Sequence, residues 1–181
     1  MTIFGALVGF LLFSGAAHAT PTPPTPLPGY TVTLTAYNAV PEQTDENPFE
    51  TASGAYSNPE VVAARSGNLA ARLPFGTIIE LEGASISSGD SCGYDAVAHH
   101  IGYRVIADTM NPRYTDRIDV LFDTKAEYAT TDKGMKNAAE MLGICKGVTF
   151  RVVGYVDINH IPKTQAELAA LVARGTALAL K

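Results

Sequence analysis

Residues 103–122, Y-R-V-I-A-D-T-M-N-P-R-Y-T-D-R-I-D-V-L-F, hold two short apolar β-type runs joined by a turn-rich loop. The runs at 105–107 and 118–122 each carry an aspartate, Asp108 ending the first and Asp119 interrupting the second. A carboxylate inside an apolar strand is costly to bury unless it faces a wet groove or finds donors. A rigid sheet that holds both strands and leaves one face open to a groove meets that requirement. Two aspartates on such a frame can shift each other's proton affinity and perform general acid–base chemistry. In the plainer reading, Asp108 caps the loop and Asp119 faces solvent from an edge strand.

The flanking sequence supplies more short strands. Residues 30–37 (Y-T-V-T-L-T-A-Y) alternate with a period of two, placing Val32, Leu34 and Ala36 opposite Thr31, Thr33, Thr35 and Tyr37. Residues 38–59 form a long polar loop, of the kind that often serves as a lid, with a hydroxyl-rich turn at Thr51-Ala52-Ser53-Gly54. A short strand at 61–64 follows, and the tight turn L-P-F-G-T at 73–77 launches a strand over 77–81. Residues 82–95 read as an irregular Gly/Ser-rich insertion, and 96–107 as a long strand bent near Gly102.

Beyond Phe122, T-K-A-E at 124–127 has capping-box spacing and predicts a helix. It restarts near Asp132 and Gly134 and runs to Gly143, with Met135, Ala138, Ala139 and Leu142 on one face. Residues 147–157 form a closing strand. A second capping box, T-Q-A-E at 164–167, opens a C-terminal helix whose Leu168, Leu171, Val172 and Leu178 are free to dock. Many short strands with Gly-rich crossings suggest a mainly β chain closed into a small barrel rather than a sandwich.

Charge and the N-terminal region bound the function. The net charge is −5 with no basic cluster, which disfavours nucleic acid as a partner. Residues 3–13 are apolar and Ala17-His18-Ala19 is a small-x-small site, so 1–19 read as a secretory signal. The apolar run is well short of the ~20 residues that span a bilayer. No Lys or Arg precedes it, and without cleavage it would serve as the membrane anchor. Residues 20–29 form a proline-rich linker, extended as polyproline II. The domain then covers 30–158, with the C-terminal helix in 159–181. Cys92 and Cys145 suggest one disulfide in an exported chain, with two free buried thiols as the alternative. No metal site is expected: there is no C-x-x-C, and adjacent His99 and His100 would point to opposite faces of a strand.

Six short motifs occur in order: T-A-Y (35–37), T-A-S-G (51–54), L-P-F-G-T (73–77), V-I-A-D-T (105–109), R-I-D-V-L-F (117–122) and G-V-T-F-R-V (147–152). Together they resemble the 3D (Asp-Asp-Asp) domain shared by MltA-like lytic transglycosylases, related to the rare-lipoprotein-A-like barrels. The resemblance implies a six-stranded double-psi β-barrel with one inserted helix and a C-terminal helix. It places the family's second and third aspartates on Asp108 and Asp119. It further implies a secreted protein, periplasmic or cell-wall associated, acting as a monomer without a cofactor on peptidoglycan glycan strands. The reaction implied is lytic transglycosylase cleavage of the MurNAc–GlcNAc bond to a 1,6-anhydro product. Asp119 would be the acid/base and Asp108 its electrostatic partner, with Tyr37, Thr51 and Thr109 contacting sugar. The family's first aspartate is replaced by Leu69, and D-T-G-G by D-T-M-N-P, so a non-catalytic polysaccharide-binding module stands as the second reading.

Overall fold

The computed structural model describes residues 29–44, 47–84 and 92–175. The expected signal at 1–19, nearly all of the proline-rich linker, most of the Gly/Ser-rich insertion and Leu178 lie outside the described residues.

Six strands close into a barrel: β1 (Tyr30–Asn38), β2 (Val62–Arg65), β3 (Thr77–Ala84), β4 (Tyr103–Thr109), β5 (Arg117–Phe122) and β8 (Cys145–Tyr155). Their order around the wall is β1-β5-β2-β4-β3-β8. β1 with β5 and β2 with β4 are parallel pairs; the other neighbours run antiparallel. The chain is thus mainly β, with the closed six-stranded mixed barrel that the motifs led one to expect. Alternation fills its interior: Leu34, Ala63, Ile79, Ile106, Ile118, Val120, Val148 and Phe150 form one buried cluster with residues from all six strands. Their neighbours in sequence point outward. Tyr37, Val62, Ala64, Ile78, Val105, Ala107 and Leu121 form a second cluster on the outer wall.

That outer cluster is covered by α3 (Gln165–Ala173), which starts where expected. Thr164 and Glu167 complete the capping box, and Leu168 is fully buried against the barrel, with Leu171 and Val172 beside it. The turn at 73–77 also forms as read. Gly76 adopts φ 86° and donates its N–H to Ile106 at 2.8 Å while its carbonyl accepts from Val156 at 2.8 Å. A Cβ there would lie 2.2 Å from the Val156 oxygen, so only glycine fits.

Two segments differ from expectation. The predicted long strand at 96–107 begins instead as α1 (Tyr94–Ile101), followed by β4. Tyr94, Val97 and Ile101 are its buried residues, spaced three and four apart, which fits a helix and not a strand. His99 and His100 consequently share its last turn, with ring centroids 4.2 Å apart, rather than facing opposite ways. The predicted helix over 124–143 is a hairpin, β6 (Glu127–Thr130) and β7 (Gly134–Asn137), leading into the short α2 (Ala138–Leu142). The Asp123 carboxylate accepts the Lys125 N–H at 2.9 Å, giving the backbone a turn in place of a first helical turn. Asn137, not Thr124, is the N-cap, accepting from Ala139 at 2.9 Å.

A buried arginine and a disulfide fasten these pieces. Arg104 is 1 % exposed and donates to the carbonyls of Ile101 at 2.6 Å, Pro59 at 2.7 Å and Leu121 at 3.1 Å, and to that of His100. Burial pushes its pKa down to about 9, and the cation is held by carbonyl oxygens in place of water. Cys92 and Cys145 form the expected disulfide, joining the entry to α1 with the start of β8. The bond is compatible with an oxidising compartment. Among the described residues, no helix is long and apolar enough to cross a membrane. The double substitution Cys92→Ser/Cys145→Ser should lower the unfolding free energy by about 2–4 kcal/mol. Denaturant titration checks this; an unchanged midpoint would mean the cross-link stabilises nothing.

Candidate active site

The pairing register brings both aspartates to one face of the wall. Ala64, in the middle of β2, pairs with Asp119 of β5 on one side and with Asp108 of β4 on the other. Thr35 of β1 pairs with Asp119 in turn. Thr35, Asp119, Ala64 and Asp108 therefore form a row across four adjacent strands. The two aspartate Cα atoms are two strand spacings apart, about 10 Å.

Asp108 reaches this row only because β4 bulges. Ala63 pairs with Ile106, but Ala64 pairs with Asp108, so Ala107 is the extra residue. In a regular strand Asp108 would share the inward face of Ile106; the bulge turns it outward. The hydroxyl-rich turn docks on the bulge. Ser53 N–H donates to the Ala107 carbonyl at 3.1 Å, and Ala52 N–H donates to Asp108 Oδ1 at 2.9 Å. Gly54, at φ 82°, closes that turn through its N–H to the Thr51 carbonyl at 2.8 Å.

Asp108 is fixed by two further donors. The Thr109 N–H reaches Oδ1 at 2.8 Å, and the Tyr37 hydroxyl reaches Oδ2 at 2.8 Å. Tyr37 is only 8 % exposed. Its burial first, then the Asp108 charge and the shared hydrogen bond, hold the phenol far above its ordinary pKa, so it remains a donor. Tyr37 thus offers a positioning hydroxyl more than an open ring face.

Asp119 sits differently. It is half-buried, and its Oδ1 is buried against the Thr35 hydroxyl, a contact that falls short of good hydrogen-bond geometry. Desolvation raises its pKa from 3.8 to about 6. Thr35 and Arg117 oppose that rise, and the Asp108 charge adds a smaller increment. Of the two carboxyls, one is locked by donors and the other is left short of them.

Both aspartates open into a single cleft of about 680 Å³. Its floor includes Ala36, Tyr37 and Ala64, and one wall comes from the loop after β1, through Glu42, Gln43, Glu50 and Ser57. The other wall is Thr109, Met110, Asn111, Arg113 and Tyr114. The small side chain of Ala64 leaves the space between the two carboxyls open. Of the residues singled out from sequence, Asp108, Asp119, Tyr37 and Thr109 meet here. Thr51 is 5 % exposed and spends its hydroxyl on Ser53 at 2.9 Å and Ala55 at 3.1 Å, beneath the turn and outside the lining.

No family model matches the chain, and no curated protein matches it.

Reading the sequence residue by residue missed Ala52, Ala64, Glu42 and Glu50. The length and polarity of the 38–59 loop was the available signal for the loop residues. The Ala52 contact is made by its main chain, and Ala64 matters by being small.

Asp119 carries a stability signature. An acid whose folded pKa exceeds its unfolded value stabilises the fold below the unfolded pKa and loses that contribution as pH rises through the folded one. The window here runs from 3.8 to about 6. Asp119→Asn mimics the protonated acid, and should match wild type near the lower end and exceed it at pH ~8 by ~1–3 kcal/mol. Urea titrations at the two pH values check the sign. A variant less stable at high pH would show that Asp119 is held by an ionic partner.

Proposed function

We propose that the chain is a secreted cell-wall-active protein that cleaves peptidoglycan glycan strands as a lytic transglycosylase does. The observation that carries this reading is the pairing in one cleft of a donor-fixed Asp108 with an Asp119 whose pKa is pushed up to about 6. Asp119, protonated, gives its proton to the glycosidic oxygen between N-acetylmuramic acid and N-acetylglucosamine as that bond breaks. The resulting carboxylate takes the proton of the muramic 6-hydroxyl, whose oxygen attacks the anomeric carbon and closes the 1,6-anhydro ring. The proton count balances and Asp119 returns to its starting state.

A single acid/base suffices for this route. This route makes no demand on the separation of the two aspartates, whose Cα atoms lie about 10 Å apart across two strand spacings. Asp108, immobilised by three hydrogen bonds, faces the positive charge that develops on the sugar ring. The 38–59 loop forms one side of the cleft, and the disulfide fits an oxidising, extracytoplasmic setting.

A non-catalytic wall-binding module is favoured by one observation: Leu69 stands where the resemblance calls for the family's first aspartate, and it is buried in the core. Digestion of purified peptidoglycan separates the two readings. Wild type should release anhydro-muropeptides and Asp119→Asn should release at least ~100-fold less, the usual cost of a lost general acid. The rate should decline as pH rises above about 6, where Asp119 loses its proton. Sedimentation with the wall and no product from wild type would establish the module instead.

A further inference from the structure

The turn that walls the cleft has a second side. Its Ser57 N–H donates to the Phe49 carbonyl at 3.0 Å, its Thr51 N–H donates to the Ala55 carbonyl at 2.9 Å, and Glu50 is bridged to Tyr56. Glu50, Ala52 and Ser57 line the cleft, whereas Ala55 and Tyr56 line a separate groove of about 640 Å³. The opposite wall of that groove is Ile158, Ile161, Pro162 and Lys163, from the segment between β8 and α3. Asn58 ties the two walls together, its Nδ2 donating to the Lys163 carbonyl at 2.8 Å. A bridged pair holds its Cα atoms about 5 Å apart, so a single turn separates cleft from groove.

Two features of this groove point to a ligand. Tyr56 is 66 % exposed, the most exposed of the large hydrophobic side chains described, and its hydroxyl has no hydrogen-bond partner among the described residues. Lys163 is the one charged residue in the described lining, and its ammonium pairs with no carboxylate among the described residues. The nearby Glu167 carboxylate is taken by the main-chain N–H groups of Lys163 at 2.8 Å and Thr164 at 3.2 Å. An apolar floor with a bare aromatic ring and a single cation is complementary to an extended chain that carries small apolar groups and carboxylates. The muramic acid of peptidoglycan bears such a chain, a short peptide of alanine methyls and carboxylates on its lactyl ether. Within the cleft the lining cation, Arg113, is already engaged: it lies 4.7 Å from the Tyr114 ring centroid and donates to the Tyr114 hydroxyl at 2.8 Å.

We propose that the groove binds the stem peptide of peptidoglycan while the glycan strand lies in the cleft. The inference rests on the glycan reading above and names a second contact of the same substrate. Three extended peptide units reach about 10 Å, enough to pass over the turn. The peptide carboxylates then meet Lys163, and the alanine methyls cover Tyr56 and Pro162.

The test titrates the full chain with soluble glycan strands bearing tetrapeptide stems and, separately, with the same strands stripped of their stems by an amidase. Stem-bearing strands should bind at least ~5-fold tighter, the reach of one exposed ion pair with an apolar contact. Lys163→Gln and Tyr56→Ser should each reduce that preference roughly two- to fivefold. Lys163→Arg should keep it, and none of the three should alter binding of stripped strands. Equal binding of both strands overturns the inference while leaving the glycan reading intact. So does a preference that survives Lys163→Gln, and its loss in Arg113→Gln would then put the peptide in the cleft. Weaker binding of stripped strands by Tyr56→Ser would show that the groove takes sugar and would also overturn it. Binding of neither strand overturns both readings.

Discussion

One extra residue in β4 decides where the acidic chemistry sits. Ala107 breaks the register between Ile106 and Asp108, and without it the carboxylate would be driven into the barrel interior. A bulge leaves a backbone carbonyl without its ladder partner, which is costly unless another donor replaces it. The turn at 51–54 supplies that donor through Ser53 and, one residue earlier, orients Asp108 through Ala52. The loop that walls the cleft is thus also the element that makes the bulge tenable. Fold and site share the same few hydrogen bonds.

The two aspartates then divide along physical lines. Asp108 has every available oxygen engaged by donors from three elements, so it is stationary. Asp119 sits one strand beyond Ala64, with a buried oxygen short of a well-formed hydrogen bond and desolvation dominating its environment. A carboxylic acid that must exchange a proton near neutrality needs this second kind of setting. Neither environment would arise from the side chains in isolation. Both come from the register of three strands.

Much of the frame was legible in the sequence. Period-two alternation marked β1, the L-P-F-G-T turn announced β3, and Thr164 with Glu167 announced α3, because each depends on neighbours within a few residues. The paired cysteines and the polar interruptions at Asp108 and Asp119 were equally visible. What the sequence hid depends on distant partners. The bulge is a relation between β2 and β4, not a property of either. Residues 94–101 lack a side-chain N-cap, and their β-compatible Ala-Val-Ala centre masked the spacing of Tyr94, Val97 and Ile101. At 124–127 a capping pattern was present, but Asp123 took the backbone into a turn and the hairpin formed instead.

Barrel register holds two chemically similar aspartates in unlike surroundings, Asp108 met by donors and Asp119 desolvated. Carbon-detected NMR of the aspartate carboxyls across a pH titration measures this directly. Asp119 should titrate with a midpoint at about 6. Loss of its proton at the ordinary carboxylate pH, near 4, would mean a solvated side chain and leave the proposed acid/base role without a physical basis.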